Sequence, residues 1–259
     1  MKDNFSKQSG SYARFRPGYP TALVAFLLSN VRTRRSAWDC GTGSGQFAME
    51  LAPFFDSVEA TDISQEQIRH ALPCANVRYS IGAAEESSFP DHWFDLVAAG
   101  QACHWFDMER FSREIYRVLK PGGVVAAAGY SLCTIDPLVD PVIRRFYRGV
   151  IGPFWDAERR HVDAHYRTIH FPFREIPAPA WTATQRWTLE QLAGYIRTWS
   201  AVEHFIDAKG RDPVDDLRGE LEKSWGAEPV KEVRFPFFLR VGVPDEAIRR
   251  HADAMQPEV

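Results

Sequence analysis

Three alternate glycines in Trp38-Asp39-Cys40-Gly41-Thr42-Gly43-Ser44-Gly45-Gln46 lie between an apolar, strand-like run and a helix-like stretch, and they constrain this chain more than any other feature. Without a Cβ, such positions accept positive φ and let the backbone approach a ligand closely. A strand, a glycine turn and a helix in that order are the context required of a nucleotide-binding turn. Asp62 closes the next apolar run 17 positions after Gly45, where a carboxylate can accept two hydrogen bonds from ribose hydroxyls. A dinucleotide fingerprint would be GxGxxG; here the third glycine falls one position early and Gln46 occupies its place, which disfavours NAD. Asp39 brings a negative charge that is unwelcome beside a pyrophosphate and suited to the ammonium of an amino-acid moiety. The loop therefore points to one cationic, phosphate-free nucleoside.

Around this loop, short apolar runs alternate with helix-like stretches from Ser36 to Tyr130, the pattern of βαβ units and a parallel sheet. The expected strand cores are SAWDCG, SVEATDI, NVRYSIG, FDLVAAG and GGVVAAAG, with helices over Gln46 to Phe54 and Gln65 to Leu72. Met108 to Leu119 reads as an amphipathic helix through Phe111, Ile115, Val118 and Leu119, stopped by Lys120-Pro121-Gly122-Gly123. Pro20 to Asn30 reads as a helix with proline in its first turn. Beyond Tyr130, helical pieces near Pro137 to Ile151 and Asp156 to Ile169 are ended by the Pro-rich FPFREIPAPAW. Further helices are expected over Leu189 to Ser200 and Pro213 to Trp225, and VRFPFFLRVG suits a buried final strand, although Pro236 counts against a central position.

The remaining composition narrows the partners. A formal charge of -3 with Lys and Arg spread along the chain argues against nucleic acid, and Arg32, Arg34 and Arg35 read as a solvated turn. No stretch of about 18 apolar residues suggests a membrane span, and MKDNFSKQSGSYARF lacks the apolar core of a secretory signal, so a cytoplasmic protein is expected. Cys40, Cys74, Cys103 and Cys133 are isolated, without zinc-knuckle spacing. His161 and His165 can meet on one helix face near His170, yet the HExxH glutamate is missing, and no metal is expected.

DCGTGSG, then ATDIS, AAEESSFPDHWFDLV and REIYRVLKPGGVV, in that order, resemble the class I S-adenosylmethionine-dependent methyltransferases over roughly the first 130 residues. YARFRPGYP, GQACHWFD and YIRTWSAVEHF further resemble the trans-aconitate methyltransferase-like group of small-molecule enzymes. The resemblance implies an α/β fold with a doubly wound, mostly parallel seven-stranded sheet and a helical cap inserted after the fifth strand. It implies one domain: an N-terminal lid and helix over 1–34, a cofactor core over 35–130, a cap over 131–230 and a final strand over 231–245. It also implies S-adenosylmethionine as cofactor. Gly41, Thr42, Gly43 and Gly45 would line its methionine and ribose portion, with Asp39 near the amino group, Asp62 on the ribose and Ile63 packed on adenine. Ala84 and Glu85 would read the adenine edge, Gln101 would lie beneath the methionine part, and Tyr12 and Arg16 would form a lid over the cofactor carboxylate.

Methyl transfer chiefly requires alignment of a nucleophile and exclusion of water, which agrees with the lack of a Ser-His-Asp order or phosphate-binding lysine loop. A carboxylate acceptor would need no base; for a hydroxyl, amine or carbon acid, His104 is the candidate general base, or else it shapes the pocket with Trp105. Trp105, Trp155, Tyr195 and Trp199, with Phe106 and Phe154, are candidates to enclose an apolar substrate. Arg144, Arg145, Arg159 and Arg160 fall in the covering insertion, and one of them could bind a substrate carboxylate. The expected activity is methyl transfer to a small organic molecule; a non-catalytic nucleoside-binding or regulatory protein on the same fold is the alternative.

Overall fold

In the computed structural model, which describes residues 16–245 and 247–248, each expected apolar run becomes a strand. The elements are α1 (Thr21–Ser29), β1 (Ser36–Cys40), α2 (Gln46–Leu51), β2 (Ser57–Asp62), α3 (Gln65–Arg69), β3 (Val77–Ile81), β4 (Phe94–Gly100), α4 (Met108–Val118) and β5 (Leu119–Tyr130). The five strands run parallel in the order β3-β2-β1-β4-β5, so the order reverses between β1 and β4. Alternate residues feed two cores: Ala37, Leu96, Ala98, Val124 and Ala126 enter one, while Trp38, Val97, Ala99, Val125 and Ala127 enter the other. A sheet covered on both faces needs such unbroken apolar strands.

Local chemistry sets the helix starts. Asp107 caps α4 by accepting from the backbone N–H of Glu109 and Arg110, and Ser64 caps α3 by accepting from Gln67. Helix α4 buries Phe111, Ile115 and Val118, the apolar stripe legible in its sequence.

The second half supplies α5 (Asp140–Arg145), α6 (Arg159–Asp163), β6 (Arg174–Ile176), β7 (Trp181–Trp187), α7 (Leu189–Arg197), α8 (Ser200–Lys209), α9 (Pro213–Trp225) and β8 (Lys231–Val243). Thr188 and Gln191 form a reciprocal capping box on α7, and Asp212 with Pro213 starts α9. Strand β8 pairs antiparallel with β5 on one side and with β6 and β7 on the other, giving eight strands. Seven lateral positions remain, because β6 and β7 follow one another along the same edge of β8 with a one-residue shift in pairing between them. Pro177 and Pro179, which cannot donate to a ladder, lie at that interruption.

Four expectations are corrected here. FPFREIPAPAW does not merely end helices; it carries β6 and leads into β7, because prolines are tolerated at an edge. The helix read over Asp156 to Ile169 shortens to α6, after which His165 and Tyr166 take positive φ of 54° and 59°. Pro236 does sit in an interior strand: it pairs with Thr182 of β7, and on the other side its carbonyl accepts from the Ser131 N–H just past the end of β5, where its missing N–H leaves the rung with a single bond. Helix α8 follows α7 after a break at Thr198–Trp199, where one helix ending near Ser200 was expected.

Candidate active site

Ligands of open α/β sheets bind beyond the carboxyl ends of the strands, where strand order reverses. Here that place is a cleft of about 780 Å³, counted to its open mouth, walled by Gly41–Ser44 after β1, Asp62–Ser64 after β2 and Gly100–Ala102 after β4, with Tyr19, Phe47, Gln67, Trp105 and Tyr130.

The glycines of the loop do different things. A Cβ on Gly41 (φ 63°) would stand 2.8 Å from the Ala102 Cβ, and one on Gly45 (φ 88°) would strike the Tyr79 ring. These two glycines let neighbouring parts close up. Gly43 (φ 57°) has only Gln67 Oε1 within 4 Å, at 3.8 Å, so its backbone stands open to the cleft. Gly45 itself does not line the cleft.

Two acids hold the loop. Asp62 accepts from the Gly43 N–H (2.9 Å) through one oxygen and from the Ser64 N–H (2.9 Å) through the other, and it lines the cleft. A carboxylate has about four acceptor positions, so an acid at this place can meet hydroxyl groups as well as backbone N–H groups. Asp39 is fully buried behind the loop, where Thr42 Oγ1 donates to its Oδ2, while its Oδ1 has no partner among the described residues. Burial pushes its carboxyl up to about 7; the Thr42 hydroxyl opposes this and the nearby Asp62 charge adds to it.

Gln101 adopts φ 55° at the end of β4, and its side chain donates to Tyr130 O (3.3 Å) and accepts from Tyr130 N (2.9 Å). Non-glycine residues reach this region at a cost of order 1–3 kcal/mol, offset here by the two hydrogen bonds to Tyr130 of β5. Gln101 and Trp105 also belong to a second cleft of about 400 Å³, lined by Arg16, His104, Trp155, Asp156, Arg159, Trp199 and Ser200. The two clefts therefore meet at one amide and one indole.

His104 is 7% exposed, and its Nδ1 lies 3.0 Å from the hydroxyl of the fully buried Tyr166. Burial holds its imidazole well below the usual histidine range, with Arg159, His161 and Arg16 adding to the effect, so the ring is neutral at neutral pH. Arg159 lies over Trp155 (4.7 Å to the ring centroid) and Tyr147 (5.5 Å), and its Nε donates to the Tyr147 hydroxyl at 2.8 Å.

Of the remaining candidates, Thr42 and Ile63 line the first cleft, and Trp105, Trp155 and Trp199 the second. Arg16 lines the second cleft, not the first, and its two terminal nitrogens donate to the Tyr130 hydroxyl (2.6 Å) and to Thr198 O (3.0 Å). Ala84 is buried in the core beneath β1 and β4, and Glu85 accepts from the Asp107 N–H at 3.0 Å; neither lines the first cleft. Tyr195 is buried behind Trp199, against Trp187 and Phe235, and reaches neither wall. Tyr12 lies outside the described residues. Sequence reasoning passed over Tyr19, Phe47, Ser64, Gln67 and Tyr130 on the first cleft and Asp156 on the second. Tyr19, inside the quoted YARFRPGYP, and Ser64, inside the quoted ATDIS, carried a signal. Among the described residues no cluster of His, Cys, Asp and Glu could hold a metal ion, and no helix is long and apolar enough to cross a membrane.

Residues 38–127 match the family described as a methyltransferase domain. A protein of Dictyostelium discoideum named as a methyltransferase is 30% identical over 245 residues, covering 92% of this chain and 93% of its own. A Saccharomyces cerevisiae protein named as an S-adenosylmethionine-dependent methyltransferase is 28% identical over 135 residues, 49% of this chain and 46% of its own. The solved structure of a protein named as a type II methyltransferase from Anaeromyxobacter dehalogenans superposes with a TM-score of 0.81 at 42% identity, covering 88% of this chain and 97% of that one.

Proposed function

Because the chain belongs to the class I S-adenosylmethionine-dependent methyltransferases, we propose that it methylates a small organic molecule seated in the second cleft, in a single catalytic domain. The observation that carries this reading is the meeting of the two clefts at Gln101 and Trp105. The cofactor is S-adenosylmethionine, and when bound it supplies an electrophilic methyl group on a sulfonium.

The first cleft fits that molecule by its open Gly43 backbone and its two acids. Asp62, a carboxylate on the cleft wall, holds the ribose hydroxyls, and Ile63 packs on the base. Thr42 and Gly43 present main chain to the rest, while Asp39 sits behind the loop as a buried acid whose charge favours a nearby ammonium. Gln101, fixed by its bonds to Tyr130, closes the floor under the methionine end. Arg16 braces the boundary between the clefts through Tyr130 and Thr198.

Trp105, Trp155 and Trp199 give the acceptor flat walls and keep water out. Beside them His104, neutral at neutral pH, accepts a proton when the acceptor atom is a hydroxyl, amine or carbon acid. The trans-aconitate methyltransferase-like sequence features support an acceptor from the small organic acids, with oxygen or carbon as nucleophile.

The test is release of S-adenosylhomocysteine from radiolabelled cofactor with a panel of carboxylic acids and phenols. Turnover with at least one small molecule is expected. Turnover on nucleic acid or protein alone would overturn the small-molecule assignment.

A further inference from the structure

The second cleft is asymmetric. Its near end, at Gln101 and Trp105, adjoins the cofactor cleft, with His104 beside Trp105 on the same short turn, whereas Trp155, Asp156 and Arg159 belong to the cap. At the cap end the Arg159 side chain is 18% exposed, clamped over two rings and tied by Nε to Tyr147, with Asp163 Oδ1 at 3.6 Å. Its Nη1 and Nη2 have no acceptor among the described residues, although the residue lines the cleft. A guanidinium already fixed in orientation, with its terminal donors unsatisfied, matches a planar carboxylate.

We infer that the acceptor is a small organic acid whose carboxylate is held by Arg159 at the cap end of the second cleft, so that the atom methylated is a second, proton-bearing group beside His104. The inference rests on the proposed function. A carboxylate gripped by the fork has its lone pairs directed at N–H groups and its charge neutralised, which makes it a poor nucleophile. His104 has Nδ1 on Tyr166 and no partner for Nε2 among the described residues, which leaves one ring nitrogen for a ligand. In the transfer, the acceptor oxygen or carbon forms a bond to the methyl carbon as the carbon–sulfur bond breaks. The bonding pair stays on sulfur, and the acceptor proton passes to His104 and then to water.

The test uses the full chain saturated with S-adenosylhomocysteine and titrated with 4-hydroxybenzoate, 4-hydroxybenzamide and methyl 4-hydroxybenzoate, read by tryptophan fluorescence. The acid should bind about tenfold or more tighter than either neutral analogue, the effect of a charge-assisted pair. Arg159→Met should remove that preference while S-adenosylhomocysteine affinity stays within about twofold, and Arg159→Lys should keep part of it. Interligand NOEs should connect the cofactor product to the ring protons beside the hydroxyl. Equal binding of acid and amide, a preference that survives Arg159→Met, no binding of the acid at about 10 mM, or NOEs to the protons beside the carboxylate would each overturn the inference. Failure of the wild-type chain to bind S-adenosylhomocysteine would instead strike the proposed function.

Discussion

The two clefts share Gln101 and Trp105 yet are built by opposite means. The cofactor cleft is walled by the turns at the ends of β1, β2 and β4, with Gly41, Gly43 and Gly100 among its lining residues. The acceptor cleft gathers residues 16, 101–105, 155–159 and 199–200 from distant parts of the chain by packing of the cap. A site made of strand-end turns tolerates few sequences, because each turn demands glycine or a particular acid. A site made of side chains can change its ligand with one substitution and keep its fold.

The sharpest way to break this contrast is Gly41→Ala. Its methyl would meet the Ala102 Cβ and its φ of 63° disfavours any side chain, so both folding and cofactor binding should suffer. A loss of about 2–4 kcal/mol in urea unfolding is expected, and a variant as stable as wild type would show the loop to be slack. Asp62→Ala comes next: it strips two backbone N–H groups of their acceptor and should weaken S-adenosylhomocysteine by about 1–3 kcal/mol in calorimetry. Arg159→Met should leave that affinity alone, and equal losses in both variants would erase the distinction between the clefts.

A pH series sharpens it further. The carboxyl of Asp39 is raised, so its contribution is full below about 4 and is lost as pH rises towards about 7. The imidazole of His104 is lowered, so its contribution is present above about 6.5 and is lost as pH falls. The two slopes oppose each other between about 4 and 6.5, each at most about 1.4 kcal/mol per pH unit. His104→Gln should therefore expose a stability that falls with rising pH, and Asp39→Asn one that rises. Parallel curves for both variants would contradict the assigned burial.

The smallest effect is expected of Tyr166→Phe, which removes the hydroxyl at His104 Nδ1 and should cost about 1 kcal/mol of stability. If Tyr166 positions His104, the pH profile of turnover should shift as well. An unchanged profile would confine Tyr166 to packing.

The same contrast explains what could be read from the sequence. Strands β1, β4 and β5 were legible because burial on both faces leaves runs such as FDLVAAG with no polar residue but Asp95, and the loop was legible because glycine chemistry is local. Strands β6 and β7 were not: an edge strand broken by Pro177 and Pro179 looks like a loop until β8 pairs with it. Nor was the end of α6 legible, since the left-handed turn at His165 and Tyr166 places a buried tyrosine on His104, 62 residues away in sequence. Arg159 could not be separated from Arg144, Arg145 and Arg160 by its neighbours, because what distinguishes it is its position over Trp155 and Tyr147 in the folded cap.

The most direct measurement is a crystal structure of the chain with S-adenosylhomocysteine. The ribose should lie on Asp62, the main chain of Gly43 should face the ligand, and the sulfur should lie at the boundary formed by Gln101 and Trp105. Density for the nucleoside anywhere else, or a sulfur pointing away from the acceptor cleft, would contradict the account.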